Sequence, residues 1–153
     1  MLTDEERREI EEELKRFTHK QAACVEALKI VQKHRGWVSD EIGGIAELLG
    51  MTPDELDAVA TFYSFIFRRP VGKHIILICD SISCWVMGYD ILREHLQKKL
   101  GISPGETTAD GQFTLLPASC LGVCDHAPAM MIDDELYLDL TPHKIDSILE
   151  GYR

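Results

Sequence analysis

The sequence lacks the long apolar run that a membrane-spanning helix needs. No stretch of its 153 residues approaches the roughly 20 consecutive apolar positions required. The first residues, MLTDEERREIEEELKRF, are acidic and helical in character, so the apolar core of a secretory signal peptide is absent too. We therefore expect the chain to stay in the cytoplasm or on the cytoplasmic face of an assembly, without direct membrane contact.

Basic residues are also scarce. The chain has 16 Lys and Arg against 26 Asp and Glu, a net charge of −10. Residues 1–73 carry 11 basic against 14 acidic residues, a balance of −3, whereas residues 74–153 carry 5 against 12, a balance of −7. Because an acidic surface repels phosphate backbones, we expect no nucleic-acid binding.

Motifs that bind nucleotides or perform catalysis are missing. No G-x-G-x-x-G follows a predicted strand and there is no Walker loop, so nucleotide and flavin should bind elsewhere. No Ser/His/Asp or Cys/His arrangement indicates chemistry on a substrate. We expect no independent catalytic site in the isolated chain, which looks like a cofactor holder.

Helical signals dominate residues 1–70. Thr3 followed by Glu6 forms a capping-box signature, and Thr52-Pro53-Asp54-Glu55 forms a second one with proline at the first helical position. Two further helices are expected between them, each ending at a glycine: about 20–34, and 39–49 with Ser39 as its cap. These signals predict a small all-helical N-terminal domain.

Strands alternate with helices in residues 71–153. The apolar, β-branched run HIILICD at 74–80 and FTLLP at 113–117 read as strands, and 129–132 with 136–140 reads as a hairpin. Helices are expected at 88–100 and from Thr141-Pro142 to the C-terminus. The fold class is α/β: a compact domain with a mixed sheet and packed helices.

Four of the five cysteines form two pairs, Cys79-Asp-Ser-Ile-Ser-Cys84 and Cys120-Leu-Gly-Val-Cys124. Each pair comes directly after a predicted strand, on a loop, and loops at strand ends can converge. Four converging thiolates suit a binuclear iron–sulfur cluster, in which each iron takes two thiolates and two bridging sulfides. Soft thiolates also exclude magnesium and calcium.

Other interpretations of the cysteines remain open. Structural zinc uses four cysteines too; its pairs are commonly C-x₂₋₄-C knuckles, and the C-x₄-C pair here reaches the edge of that range. Thiol–disulfide exchange favours C-x-x-C, which is absent, and unrelated buried cysteines are a further alternative. His126 is a candidate Rieske-type ligand that would leave one thiolate idle. Cys24, among apolar neighbours in a predicted helix, is expected to be a core residue.

The residues around the two pairs carry a resemblance. The segments CDSISCWVMGYD and DGQFTLLPASCLGVCDHAPAMMIDDELYLDLTP resemble the family of the E subunit of bacterial NADH–quinone oxidoreductase, respiratory complex I. Its pattern is C-x₄-C, about 35 residues, then C-L-G-x-C followed by A/G-P. Here 35 residues separate Cys84 from Cys120, and Pro128 falls in place. The resemblance covers nearly the whole chain, including ATFYSFIF.

The resemblance implies a thioredoxin-like [2Fe–2S] ferredoxin domain at 71–153, preceded by the helical domain at 1–70. It implies one [2Fe–2S] cluster on Cys79, Cys84, Cys120 and Cys124, near the flavin of a partner but off the main electron path. The implied role is a one-electron acceptor and store in an NADH dehydrogenase (quinone).

The implied partners are the flavoprotein subunit, which binds FMN and NADH, and the large iron–sulfur subunit that passes electrons towards quinone. The implied place is the peripheral arm, on the cytoplasmic face of the inner membrane. Two rival functions remain. One is the corresponding subunit of an NAD-linked hydrogenase or formate dehydrogenase, and the other is a zinc-stabilised or free thioredoxin-like carrier or adaptor.

Overall fold

Helices build the first of two units in the computed structural model, which describes residues 1–39 and 42–152. The chain divides into Met1–Pro70 and Val71–Arg153. A 3-10 turn, Lys20–Ala23, lies between the first two α-helices. The α-helices of the first unit are α1 (Asp4–Leu14), α2 (Cys24–Arg35), α3 (Gly43–Leu49) and α4 (Pro53–Phe62).

Two predicted capping boxes are confirmed. The Thr3 hydroxyl accepts a hydrogen bond from the Glu6 backbone N–H at 3.2 Å, and the Glu6 carboxylate accepts one from the Thr3 N–H at 2.7 Å. Thr52 and Glu55 repeat the pattern at the start of α4. These bonds satisfy amide groups that a helix start otherwise leaves without a partner.

The predicted start of α3 differs from the observed one. The helix begins at Gly43, with Ile42 at the cap position and no side-chain cap, rather than directly after Ser39. Asp40 and Glu41 lie outside the described residues. Ile42 is buried and its carbonyl accepts the first helical hydrogen bonds, whereas the sequence favoured a polar cap. The predicted end at Gly50 is confirmed.

The helical unit packs around its own apolar core. Cys24 is half-buried against this core, at the first residue of α2. The core members are Ile10, Ala23, Ala27, Leu28, Val31, Val38, Ile42, Ile45, Ala46, Leu49, Leu56, Ala60 and Ile66.

A buried ion pair joins α1 to α2. Glu6 is only 1% exposed, and its carboxylate accepts hydrogen bonds from the Arg35 guanidinium, with Nη2 2.6 Å from Oε2. The Arg35 hydrogen bond holds the pKa of Glu6 at about 2, well below its usual 4.5. The sequence showed Glu6 as a capping residue but not as this link.

A four-stranded mixed sheet forms the second unit. Its order is β2-β1-β3-β4, with β1 parallel to β2 and the other neighbours antiparallel. The strands are β1 (His74–Cys79), β2 (Phe113–Ala118), β3 (Met130–Ile132) and β4 (Glu135–Tyr137). The helices are α5 (Ile82–Val86), α6 (Tyr89–Leu100) and α7 (Pro142–Glu150). The predicted α/β class is confirmed.

The apolar face of α6 and α7 packs on this sheet. The crossover from β1 to β2 runs through α5 and α6, as a parallel connection requires. The buried residues are Ile76, Ile78, Tyr89, Leu92, Leu96, Ile102, Phe113, Leu115, Met130, Ile132, Leu140, Ile145 and Leu149. No helix among the described residues combines the length and apolar character needed to cross a membrane.

Two local predictions in this unit are wrong. The sequence predicts a loop after β1, but Ile82–Val86 forms the helix α5. A helix of little more than one turn is too short for its apolar residues to repeat at the helical period, so the sequence does not reveal it. The last strand spans Glu135–Tyr137 rather than 136–140. It ends where its partner strand begins, because Tyr137 pairs with Met130, the first residue of β3; Asp139, two residues farther on, has a left-handed φ of +48°.

Replacing Glu6 with Gln should lower the free energy of unfolding by roughly 2–3 kcal/mol near pH 7, because Arg35 loses its charged partner. The folded pKa of Glu6 lies below its unfolded value, so this contribution is complete above 4.5 and is lost as pH falls towards about 2. Urea unfolding followed by circular dichroism at both ends of that range measures the difference.

Glu5→Gln is the matched control, since it removes an exposed charge from the same first turn. It should change stability little at either pH. Equal losses for Glu5→Gln and Glu6→Gln would contradict the assignment.

Candidate metal centre

The first cysteine pair lies where β1 ends and α5 begins its turn. Cys79 is the last residue of β1 and Cys84 lies within α5; each is 2% exposed. The two side chains are hydrogen-bonded to one another, and the Ala129 backbone N–H donates to the Cys84 sulfur. Both thiols therefore sit in a small apolar cluster with Ala127 and Ala129.

The second pair lies on the loop after β2. Cys120 and Cys124 are exposed, and their Sγ atoms are 3.3 Å apart. The Gly122 backbone N–H donates to the Cys120 sulfur at 3.3 Å. Gly122 has φ at +81°, which glycine adopts without steric cost, so the loop can fold back on its own cysteine.

The parallel pairing of β1 and β2 brings the pairs to one end of the sheet. Cys79 lies opposite Ala118, two residues before Cys120, and the Asp80 N–H bonds the Ala118 carbonyl at 3.0 Å. The Ser83 hydroxyl donates to the Cys124 sulfur, and the charge on Cys124 acts on Cys84. The structure thus brings together all four cysteines singled out from the sequence.

Burial and the hydrogen bonds around the sulfurs control their ionisation. Burial, followed by the hydrogen bond with Cys79, raises the pKa of the Cys84 thiol to about 11. The hydrogen bond with Cys120 raises the pKa of Cys124, whereas the Gly122 N–H lowers that of Cys120. Several negative sulfurs cannot stay this close without compensating positive charge, which a bound metal supplies.

Four cysteine thiols in two pairs form a donor set that fits a binuclear iron–sulfur cluster. Zinc needs three or four ligands around one point. Within residues 1–39 and 42–152, no three His, Cys, Asp or Glu side chains are arranged to hold one metal ion. A [2Fe–2S] core bridged by sulfide takes two thiolates on each of its two irons, and this chain offers its four thiols as two pairs.

The other candidate ligands are placed elsewhere. Cys24 lies in the helical unit, against that unit's core. Both ring nitrogens of His126 face carboxylates: Nδ1 is 3.0 Å from Asp139 Oδ2, and Nε2 is 3.6 Å from Asp125 Oδ2. A ring held in this way is not presented to the cysteines, so the geometry does not favour a Rieske-type site.

Three groups near the cysteine loops could not be identified from the sequence, two of them acting on a sulfur and one on His126. They are the Ser83 hydroxyl, the Ala129 backbone N–H and the carboxylate of Asp139, which contacts the loop through His126. In the sequence, Ser83 stands out only as a small residue between the candidate ligands Cys79 and Cys84. Nothing in the sequence marks Ala129 or Asp139, because their positions depend on how β3 and the segment after β4 pack.

The metal-free thiols should differ in reactivity. Brief treatment with iodoacetamide near pH 8 should modify Cys120 roughly tenfold or more faster than Cys84, because Cys120 is exposed with a lowered pKa and Cys84 is buried with a raised one. Peptide mass spectrometry measures both rates. In the urea-unfolded chain the two rates should become similar. Equal rates in the folded chain would contradict the described geometry.

Similarity to known proteins identifies the family of this chain. The family model for the thioredoxin-like [2Fe–2S] ferredoxin matches residues 10–153. The NADH-quinone oxidoreductase E subunit of Pseudomonas aeruginosa is 52% identical over 99% of this chain and 92% of its own length. The same subunit of Escherichia coli K12 gives the same values, and that of Buchnera aphidicola from Baizongia pistaciae is 43% identical over 99% and 90%.

A solved structure is also similar. The crystal structure of an NAD+-reducing [NiFe]-hydrogenase in the H₂-reduced state matches 85% of this chain with a TM-score of 0.74 and 27% identity. The matched region is only 22% of that hydrogenase chain. On the family match and the identity over nearly the full length, this chain belongs to the thioredoxin-like [2Fe–2S] ferredoxin family, among the relatives of the NADH-quinone oxidoreductase E subunit.

Proposed function

We propose that this chain is an electron-transfer subunit of an NADH–quinone oxidoreductase and holds one [2Fe–2S] cluster on Cys79, Cys84, Cys120 and Cys124. The observation that supports the proposal is the placement of these two pairs at one end of the sheet, in a chain 52% identical to the E subunit over 99% of its length. When bound, the cluster accepts and returns one electron.

The protein's part is to hold and shield that site. Cys79 and Cys84 lie on the buried side, whereas Cys120 and Cys124 are exposed. The distance from the cluster to a partner protein is therefore shortest on the side of Cys120 and Cys124. Residues 74–153 carry a balance of −7, which disfavours added negative charge, so we expect a low midpoint potential like that of plant-type clusters, near roughly −400 mV.

An exposed apolar surface beside the site supports contact with another subunit. We call it the α5 surface: Ile82, Trp85, Val86, Met87 and Ile91, which are 55–69% exposed. Residues 81–89 contain no charged side chain, in a unit that is otherwise acidic. Exposed apolar clusters of this kind are typical of protein interfaces.

The partners we propose are the flavoprotein subunit, which binds FMN and NADH, and the large iron–sulfur subunit. In the similar hydrogenase, the matched region is continuous with a much longer chain, so that module has further protein attached. The proposed location is the peripheral arm of the complex, on the cytoplasmic face of the inner membrane. The cluster there serves as a one-electron acceptor and store.

The two units fit a division into two domains. The proposed helical domain spans residues 1–70, and the proposed cluster domain spans 71–153. Each unit has a separate apolar core, which supports this division.

A second candidate function is the corresponding subunit of an NAD-linked hydrogenase or formate dehydrogenase. The structural similarity to the NAD+-reducing hydrogenase favours it. Coverage favours the first proposal, because this chain matches 92% of the length of the E subunit but only 22% of the hydrogenase chain. Purification of the native complex and identification of the co-purifying subunits separates the two.

Replacing any one of Cys79, Cys84, Cys120 or Cys124 with Ser should abolish or distort the cluster's absorption and EPR spectra, because a harder oxygen replaces a thiolate. The full chain is purified anaerobically with iron and sulfide supplied, then reduced with dithionite. Cys24→Ser is the matched control and should leave both spectra intact. Loss of iron in Cys24→Ser but not in Cys120→Ser would overturn the ligand assignment.

Replacing Trp85 and Met87 together with Ser should weaken assembly with the NADH-oxidising subunit by roughly tenfold or more, because apolar anchors dominate interface energetics. Pull-down with that subunit measures the loss, while cluster content should stay unchanged. Leu136→Ser is the control, since Leu136 is 40% exposed on β4, outside the α5 surface. Undiminished assembly of the double variant would count against this surface.

A further inference from the structure

A short segment after β4 runs beside the loop that carries the second cysteine pair. We call residues 138–140 the brace and residues 120–128 the ligand loop. The Asp139 backbone N–H donates to the His126 carbonyl at 2.9 Å, and the Leu140 N–H donates to the Pro128 carbonyl at 3.0 Å. Two backbone hydrogen bonds therefore join the brace to the C-terminal half of the ligand loop.

A side-chain contact reinforces this pairing. Asp139 Oδ2 lies 3.0 Å from His126 Nδ1. Because a carboxylate only accepts, Nδ1 carries the proton and donates it. The carboxylate of Asp125 is farther away, at 3.6 Å from Nε2. His126 in turn donates its backbone N–H to the Val123 carbonyl at 2.9 Å, which closes the 3-10 turn that contains Cys124.

The brace is held from its other side by α7. The Lys144 ammonium donates to the Leu138 carbonyl at 2.8 Å, and Thr141 caps the helix through the Lys144 backbone N–H at 3.2 Å. Leu138 packs against the apolar cluster that contains Cys79 and Cys84. The brace thus contacts the surroundings of both cysteine pairs.

The backbone of Asp139 explains why this residue type suits the position. Its φ of +48° is a left-handed conformation, which Asp, Asn and Gly tolerate better than other residues. Asp139 therefore meets two requirements together: it turns the chain out of β4 and it presents an oxygen to His126.

We propose that Asp139 is a positioning residue that fixes the ligand loop, and with it the sulfurs of Cys120 and Cys124, in the geometry that binds the cluster. It touches neither sulfur and acts through His126. A loop already held in place loses less conformational freedom when it binds and rearranges less when charge is added. This inference rests on the proposed function.

Two variants distinguish the effect of the Asp139–His126 contact from the effects of charge and of backbone strain. Asp139→Asn and Asp139→Gly both remove one negative charge and both tolerate the left-handed conformation. Only Asn keeps an oxygen that can accept from His126. Asp134→Asn is the charge control, because Asp134 is exposed in the β3–β4 turn at the other end of the hairpin.

The experiment uses the full chain reconstituted with iron and sulfide. When a chelator is added, Asp139→Gly should lose its visible absorption roughly twofold to tenfold faster than wild type. After reduction with dithionite, its EPR lines should be shifted or broadened. Asp139→Asn and Asp134→Asn should stay close to wild type. His126→Ala should reproduce the Asp139→Gly result, and the double variant should be no worse than either single one.

Several results would overturn the inference. One is an Asp139→Gly chain with wild-type bleaching and EPR lines. Another is identical behaviour of the Asn and Gly variants, which would reduce the effect to charge. A third concerns Asp139→Gly: its absorption bleaches faster, its EPR lines stay unchanged, and its iron-free form melts at a correspondingly lower temperature. That combination would mean that Asp139 contributes only to the stability of the fold.

Hydrogen exchange in the iron-free chain tests the brace apart from the cluster. The amides of His126 and Asp139 should exchange faster in Asp139→Gly than in Asp139→Asn, because the side-chain contact shields their hydrogen bonds. Equal exchange rates in the Gly and Asn variants would overturn the proposed role of Asp139, whether or not the wild-type chain binds iron and sulfide. A wild-type chain that binds no iron and sulfide contradicts the proposed function instead, so the two failures are distinguishable.

Discussion

The parallel pairing of β1 with β2 is the constraint on which the metal centre depends. Parallel strands end at the same edge of a sheet, so residues that follow them meet although 35 residues separate Cys84 from Cys120. The crossover through α5 and α6 makes this pairing possible and places Cys84 on a helix that turns back towards Cys79. The register of Cys79 opposite Ala118 then sets how far apart the pairs lie.

Sulfur crowding gives the site its chemical preference. Burial raises the pKa of Cys84, and the hydrogen bond with Cys120 raises that of Cys124, so both thiols resist ionisation and the negative sulfurs would repel one another. A metal with affinity for thiolates relieves that repulsion, whereas the protein contributes N–H donors from Gly122 and Ala129. The acidic unit around the site adds negative charge, which favours the oxidised cluster. The low midpoint potential that we propose rests on this negative charge.

Much of the fold could be predicted because its signals are local. The capping boxes at Thr3 and Thr52, the β-branched run of β1 and the glycine at position 50 each act within a few residues. The cysteine spacing likewise predicted the two pairs, and the pairing of β1 with β2 places both at one end of the sheet. The α5 helix could not be predicted, since one short turn has no period, and neither could the role of Asp139. Its contact with His126 depends on tertiary packing between segments that the sequence does not connect.

The central claim is that two cysteine pairs enclose two irons. The most direct measurement is the metal and sulfide content of the anaerobically purified full chain, together with its EPR spectrum after dithionite. The account predicts a coloured protein with two irons and two acid-labile sulfides per chain and the signal of a reduced binuclear cluster. A colourless protein that retains zinc when iron and sulfide are supplied would contradict it.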